Sequence, residues 1–372
     1  MAADEELLYR VALAGYRSMT SEIAERFELG GISPEDFFTR RAVYLAQNSG
    51  IRPDFFNENR REEALRQARQ ELKFIADNRI SPLFYSDDAY PARLRHCNDA
   101  PVMLYVLGDT APMEAEHCVA IVGTRHCTPY GADFTRRLVK DLGERLNSLT
   151  IVSGLAYGAD ICAHRAALDN GIPTGAVFAH GLNTVYPADH RNDARTIVRQ
   201  GGFLATEYSS ASVVHRGNFL ARNRIVAGLC DVTVVVESDL RGGAMSTARI
   251  ASAYGREVMA LPGRVNDTYS RGTNELIASN TATMVRDADD LIALMQWTTI
   301  AADGQQQELH FDIPAEYEPV LKILREQGDA SANELCVRLG MPFADLSALL
   351  FRMELDDCII ALPGSRYTLP AK

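Results

Sequence analysis

The sequence predicts an α/β protein with a doubly wound, mostly parallel sheet over residues 79–297. A helical module precedes it over 1–78, and a winged-helix domain follows over 315–372, beyond a linker at 298–314. Three observations predict this. The middle of the chain alternates short apolar runs with helical patterns, and the nearly continuous Val/Ile/Leu/Ala content of those runs marks strands covered on both faces. Residues 1–78 carry apolar side chains at helical spacing. After the polar stretch "TTIAADGQQQELHFDIP" the pattern resumes as three helices and a hairpin. At 372 residues the chain exceeds one ordinary core, so such a division is required.

In the first module "SPEDFFTRRAVYLAQ" opens with Ser33, Pro34 and two acids, an N-terminal helix signal, and Ala64, Leu65, Ala68, Leu72 and Ile75 recur at helical spacing. The glycine pair of "ELGGISPEDFF" reads as an interhelical turn, or as the phosphate cradle of a helix-hairpin-helix. The strand candidates are "CVAIVGT" (118–124), "TIVSG" (150–154), "TGAVFAH" (174–180), "FLATEY" (203–208), "VTVVVES" (232–238), "EVMALPG" (257–263) and "TMVRD" (283–287). In the last segment "YEPVLKILREQ" is a helix, Ser331 and Glu334 form a capping box for "ANELCVRLG", "PFADLSALLFRMELDD" is a third helix, and "CIIALPGSRYTLP" gives two strands around a Pro-Gly turn. The third helix sets Asp345, Glu354, Asp356 and Asp357 against Arg352 alone, so it repels phosphate and reads as a docking or stabilising module rather than a duplex reader.

The net charge of −11 argues against a protein that coats nucleic acid with its whole surface, while leaving a local basic cleft open. Among its 38 basic residues only Lys73, Lys140, Lys322 and Lys372 are lysines. Arginine suits bidentate phosphate contacts and stacking on bases, although a GC-rich genome produces the same bias. The start "MAADEELLYR" is acidic and no segment approaches the roughly 18 apolar residues of a membrane span, so a cytoplasmic protein with no membrane partner is expected. The cysteines form no Cys-x-x-Cys pair. His96-Cys97, His117-Cys118 and His126-Cys127 are poorly placed to chelate one ion, since neighbours on a strand face opposite ways, and buried thiols with no metal are expected.

Ligands of doubly wound sheets sit at the carboxyl ends of the strands, where this chain concentrates small and basic residues. The first strand runs into Gly123, Arg125, Thr128, Tyr130 and Gly131; the second into Ser153, Gly154 and Gly158. Both loops precede helices, whose free N–H groups suit phosphate, though small residues also pack helices on sheets. In "VESDLRGGAMSTARIASAYG", Glu237 ends a strand, Arg241, Gly242 and Gly243 form the turn, and Ser246 and Thr247 lie in the first helical turn, a cradle for one phosphate. "FLARNRIVAGLCD" supplies Arg222, Asn223 and Arg224 from a neighbouring loop, with Phe219 as a base platform; one of the two arginines can instead pair with Glu207 or Glu237. No G-x-G-x-x-G follows the first strand, so a dinucleotide cofactor is not expected.

At these residues the chain resembles the DNA-processing protein A family, also called DprA or Smf, over about 80 to 290. The family's G-[ST]-R-x-x-[ST]-x-Y-G appears as Gly123, Thr124, Arg125, Thr128, Tyr130 and Gly131, and its S-G-L-A-x-G-I-D as Ser153 to Asp160, followed by the matching His164. F-x-x-R-N-R-I-I-A-G-L is Phe219 to Leu229, R-S-G-S-L-x-T-A is Arg241 to Ala248, and P-G…S-x-G-x-N-x-L-I runs from Pro262 and Gly263 through Ser270, Gly272 and Asn274 to Leu276 and Ile277.

The resemblance implies an extended Rossmann fold with a SAM-like helical module before it and a DML1-like winged helix after it. It implies a homodimer that binds single-stranded DNA without catalysis or cofactor and loads the RecA recombinase during natural transformation. The residues expected on the strand are Arg125, Ser153, Gly154, Tyr157, Phe219, Arg222, Asn223, Arg224, Arg241, Gly242, Gly243, Ser246 and Thr247, and those expected at a dimer contact are Leu276 and Ile277. Loss of Arg222 or Arg224 is expected to weaken strand binding. There are departures: Tyr157 stands where many members carry a basic residue, Ala159 replaces isoleucine, Ala244 replaces serine, and Ser246 lies where isoleucine is frequent. A nucleotide hydrolase of the lonely-guy phosphoribohydrolase type is the competing reading, with Glu207 or Glu237 as acid or nucleophile, but its P-G-G-x-G-T-x-x-E is not present as a unit.

Overall fold

The computed structural model describes residues 2–300, 314, 316–356, 358–362 and 365–369. The chain divides into two compact units, Met1–Asp303 and Gly304–Lys372. Residues 301–313 of the expected linker, Asp357 and the Pro363-Gly364 turn lie outside the described residues.

The first unit opens with α1 (Ala2–Gly15), α2 (Ser21–Leu29), α3 (Pro34–Thr39), α4 (Ala42–Ser49) and α5 (Glu58–Asn78). Ser33 and Asp36 cap α3 reciprocally, and the Gly30-Gly31 pair is the turn between α2 and α3. The "SPEDFFTRRAVYLAQ" segment breaks at Arg40 and Arg41 into α3 and α4. Tyr16, Phe27, Phe37, Phe55 and Phe56 interlock with ring centroids 5.0 to 6.4 Å apart. These rings form one continuous apolar core with the sheet that follows.

That sheet has nine strands: β1 (Ser81–Phe84), β2 (Met103–Gly108), β3 (His117–Val122), β4 (Leu149–Ser153), β5 (Thr174–Val177), β6 (Phe203–Thr206), β7 (Val232–Val235), β8 (Glu257–Ala260) and β9 (Thr283–Met284). Their order is β1-β2-β6-β5-β4-β3-β7-β8-β9, with β3 to β9 parallel and β1 and β2 antiparallel. The seven sequence-predicted strands are β3 to β9; β1 and β2 are additions, with no strand-helix rhythm to announce them. The central strands are buried throughout, as their apolar content requires. From β3 the chain steps outward through β4, β5 and β6, then crosses back to β7, β8 and β9. The order therefore reverses between β3 and β7, and their carboxyl ends open a crevice at that switch point.

The helices α6 (Ala92–Arg95), α7 (Pro129–Arg145), α8 (Ala159–Asp169), α9 (Arg191–Arg199), α10 (Arg216–Gly228), α11 (Gly243–Ala253), α12 (Arg271–Ala278) and α13 (Ala288–Met295) complete the unit. No helix among the described residues is long and apolar enough to cross a membrane, and none of their His, Cys, Asp and Glu side chains group to hold a metal. Cys97, Cys118 and Cys230 are buried, and Cys127, Cys162, Cys336 and Cys358 are partly so.

The second unit packs helices Glu318–Gln327, Ala332–Leu339 and Phe343–Leu355 around Val320, Leu324, Leu335, Leu346 and Met353. Ser331 and Glu334 form the expected capping box. The sheet is three-stranded rather than a hairpin, because β10 (Asp329–Ser331) joins β12 (Arg366–Thr368), which also pairs with β11 (Ile360–Leu362).

His164, on α8, is fully buried against β5, its Nδ1 2.8 Å from the Thr174 hydroxyl, which itself donates to the Ile151 carbonyl at 2.7 Å. The hydroxyl proton is thus committed, so Nδ1–H is the donor and the buried Nε2 has no partner. Burial pushes the imidazole down to about 3. A depressed folded value means stability that is complete above the unfolded value, about 6.5, and drains away as pH falls toward 3. Stability measured by chemical denaturation is expected to fall between pH 7 and pH 5, by at most about 1.4 kcal/mol per pH unit from this group. His164→Gln is expected to flatten that slope, and an unchanged slope in the variant refutes the assignment.

Candidate nucleic-acid interface

Each loop at the crevice is held by a charged group turned inward. Arg222 is 5% exposed, and its Nη1 donates to the Gly154 carbonyl at 2.8 Å and to the Val177 carbonyl. Asp160, buried in the first turn of α8, accepts from the Gly154 and Ala156 backbone N–H groups at 3.2 Å each. Burial raises the Asp160 carboxyl above its ordinary value, against the pull of Arg222, and burial lowers the Arg222 guanidinium, which still remains charged. Ser153 is fully buried and its hydroxyl donates to the Ile121 carbonyl at 2.6 Å. Next door, Glu237 is buried and accepts from the Thr128 backbone N–H at 2.8 Å and hydroxyl at 2.5 Å, at the start of α7. Glu237 thus occupies the anion position at the N-terminus of α7, and Asp160 takes the N–H groups of the loop that leads into α8.

This arrangement corrects part of the sequence reading. "FLARNR" belongs to α10, which begins at Arg216, and is not a loop. Arg222, Ile225 and Val226 are buried on α10, while Phe219 and Asn223, one turn apart, are half-buried along the flank of the same face. Ser153, Arg222 and Thr247 are buried, so none presents its polar group to solvent. Gly154 is spent on the internal bonds just described. Arg224 pairs with Glu207, the alternative the sequence left open, with Asp99 at 3.9 Å as a second acid. Burial raises the Glu207 carboxyl against the pull of Arg224.

A second set remains at the outer edge. Arg125 is exposed, with its guanidinium carbon 5.7 Å from the centroid of Phe219. The Phe219 ring meets Tyr186 edge-on at 5.7 Å. Tyr157, 43% exposed, meets His190 edge-on at 4.9 Å, and its hydroxyl donates to Asp189 at 2.8 Å. The His190 Nδ1 donates in turn to the Leu155 carbonyl at 2.8 Å, bracing this group on the β4 loop. Asn223 donates to the Gly243 carbonyl at 3.4 Å, joining α10 to the Arg241 loop. Arg241 is exposed and makes no ion pair or hydrogen bond among the described residues. Gly242 starts α11 without a side-chain cap, Gly243 faces open space, and Ser246 is half-buried beside them.

Sequence reasoning missed Tyr186, Asp189 and His190. Their only signal was an aromatic residue before a proline in a loop beyond a strand end, which carries no motif. Leu276 is buried in the core and Ile277 is half-buried against it, so of this pair Ile277 alone offers surface.

Residues 81–296 match the model of the DNA recombination-mediator protein A family, and residues 306–365 match that of the DprA winged helix domain. The chain belongs to the DNA recombination-mediator protein A family. Among members of that family, it is 32% identical over 323 residues to protein Smf of Escherichia coli K12, covering 81% of this chain and 83% of that one. The X-ray structure of DNA processing protein A (DprA) from Streptococcus pneumoniae superposes with a TM-score of 0.63 at 31% identity, over 77% of this chain and 95% of that one. A DNA processing protein A structure from Helicobacter pylori, described for its single-stranded DNA binding mode, gives 0.52 at 34% identity, over 58% and 95%. Family membership carries the coarse function, DNA processing as a recombination mediator.

The inward set makes a stability prediction. A Cβ on Gly154 would fall 2.2 Å from Nη1 of Arg222, so Gly154→Ala must displace the guanidinium. Arg222→Ala leaves two buried carbonyls and Asp160 without their cation and is expected to cost about 3–5 kcal/mol in denaturant unfolding. The alanine at 154 is expected to cost markedly less in the Arg222→Ala background than alone; strictly additive effects overturn the clamp.

Proposed function

We propose that this protein binds single-stranded DNA, without base specificity and without catalysis, along the Tyr157, Tyr186, Phe219 and Arg125 edge and onward to Arg241. The observation that carries the reading is the separation of roles at the crevice. The acids and Arg222 are consumed internally, while Tyr157, Tyr186, Arg125 and Arg241 are exposed, with Phe219 half-buried between Arg125 and Tyr186. Exposed aromatic rings stack on bases of any identity, and arginine adds cation–π and phosphate contacts. Side chains here read no base edges, so sequence independence follows. The Helicobacter pylori relative, described as binding single-stranded DNA, supports the same ligand for this chain. A non-catalytic role is supported by the two acids that a hydrolase would need: Glu237 is buried on Thr128, and Glu207 is paired with Arg224.

Family membership extends the proposal to biology: a homodimer that protects incoming strands and hands them to RecA recombinase during DNA uptake. Ile277 is the half-exposed residue of the expected dimer segment. In this reading the winged helix, with exposed Asp345, Glu354 and Asp356 on its third helix, docks or stabilises rather than reads duplex.

The test is a salt titration of binding to single-stranded and duplex oligonucleotides, with the mass of the complex measured alongside. Single strands are expected to win, with log affinity falling by about 0.7 per phosphate neutralised for each tenfold rise in salt. Phe219→Ala is expected to weaken binding by about fivefold to a hundredfold at every salt concentration, the value of one lost stack. Arg125→Ala is expected to reduce the salt slope by about one phosphate. Equal affinity for duplex, or wild-type binding by folded Phe219→Ala, refutes the proposed edge. RecA assembly on strands carrying this protein that is no faster than on bare strands refutes the loading role.

A further inference from the structure

The loop after β3 has two sides. Arg125 packs on Phe219, and the next residue, His126, packs on Tyr269, with rings 5.9 Å apart and 24° from parallel. Beside Tyr269 lies a cleft of about 970 Å³ at the carboxyl ends of β7 and β8, lined in part by Tyr130, Glu237, Pro262, Arg264 and Asp267. It occupies the opposite side of the switch point from the Tyr157, Tyr186 and Phe219 edge. Its size is at the upper end of the roughly 300–1,000 Å³ of clefts that take small organic groups.

The lining selects a chemistry. At the N-terminus of α7 the anion position is already held by Glu237, through the Thr128 backbone and hydroxyl, and Asp267 adds a second acid to the lining. A phosphate at this floor would meet both carboxylates, so the floor disfavours an anion. The walls offer something else. Tyr130 is 49% exposed and fixed by its hydroxyl donating to the Pro262 carbonyl at 2.8 Å, while Tyr269 is half-buried and braced by His126. The loop carrying Tyr269 is itself pinned: Asn274 exchanges two hydrogen bonds with Gly263, at 3.0 and 3.1 Å, and Ser238 donates its backbone N–H to the Tyr269 carbonyl at 2.6 Å. Two braced rings suit a flat, neutral aromatic group, and exposed Arg264 leaves a cation for the phosphate attached to it.

We propose that this cleft is a base subsite: it takes one unpaired nucleobase of a strand whose adjacent phosphates lie on Arg125 and Arg264. The inference rests on the single-strand reading above and extends the strand across the β3 loop, from the Phe219 side to the Tyr269 side.

Full-length protein is titrated with a thymine oligonucleotide carrying an abasic site or 2-aminopurine at one position at a time. Two separated sensitive positions are expected, one dependent on Phe219 and one on Tyr269. At the second, an abasic site weakens wild-type binding about fivefold or more, and 2-aminopurine emission changes on binding. Tyr269→Leu is expected to abolish both effects there, with a loss of affinity that is the same at low and high salt, whereas Tyr269→Phe keeps both. Strand binding with no second position overturns the subsite, even where Tyr269→Leu does not fold. So does a second position indifferent to Tyr269→Leu. Failure of the wild type to bind any strand is a different result, which overturns the single-strand reading and the subsite with it.

Discussion

The crevice depends on one buried cation. Arg222 reaches from α10 into the sheet and bonds the carbonyls of Gly154, just past the end of β4, and Val177, the last residue of β5. An unpaired buried carbonyl costs about 1–3 kcal/mol, so something must satisfy each of them. A guanidinium does so with a fixed fork, and its charge is balanced in part by Asp160, which itself takes the N–H groups of Gly154 and Ala156. The β4 loop, the β5 end, α8 and α10 are thereby positioned by a single polar cluster. Glycine at 154 follows directly, because the guanidinium fills the volume a side chain would take.

From that cluster the outward surface follows. With Glu237 held at the start of α7 and Asp160 on the loop before α8, the strand proposed above would find charge further out, at the exposed Arg125 and Arg241. The same anchoring stiffens the rings. His190 is tied to the Leu155 carbonyl and supports Tyr157, and Phe219 sits on the helix that Arg222 fixes. Rings held in place lose little freedom when a base stacks on them, so more of the contact energy appears as affinity.

Most of the sheet was legible in the sequence, because buried parallel strands leave near-continuous apolar runs between helices. β1, β2 and β10 were not: β1 and β2 sit apart from the alternation of strands with long helices, with only the four-residue α6 between them, and β10 is three residues long. The site was legible in composition and much less in direction. The residues at the strand ends were found, but Ser153 and Arg222 point inward, and residue type alone does not say which way a side chain turns. For Arg222 a signal existed. Once α10 is started at Arg216, position 222 falls in register with the buried Ile225, Val226 and Leu229. Reading the segment as a loop removed that periodicity. Tyr186 carried only the weak signal of an aromatic residue before a proline, because its place beside Phe219 is made by the fold of a loop some thirty residues upstream.

The overall charge sharpens the kind of nucleic acid that such a surface can hold. At a net −11, the molecule as a whole repels a polyanion, and duplex offers it little beyond its phosphates at this edge. An unpaired strand offers ring faces as well, and stacking is indifferent to the long-range field because it acts at contact. In the proposed binding mode the arginines at the edge need only offset repulsion locally, while the rings would supply the selectivity between paired and unpaired bases. On that proposal a surface of this composition would favour single strands without a donor or acceptor aimed at any base edge.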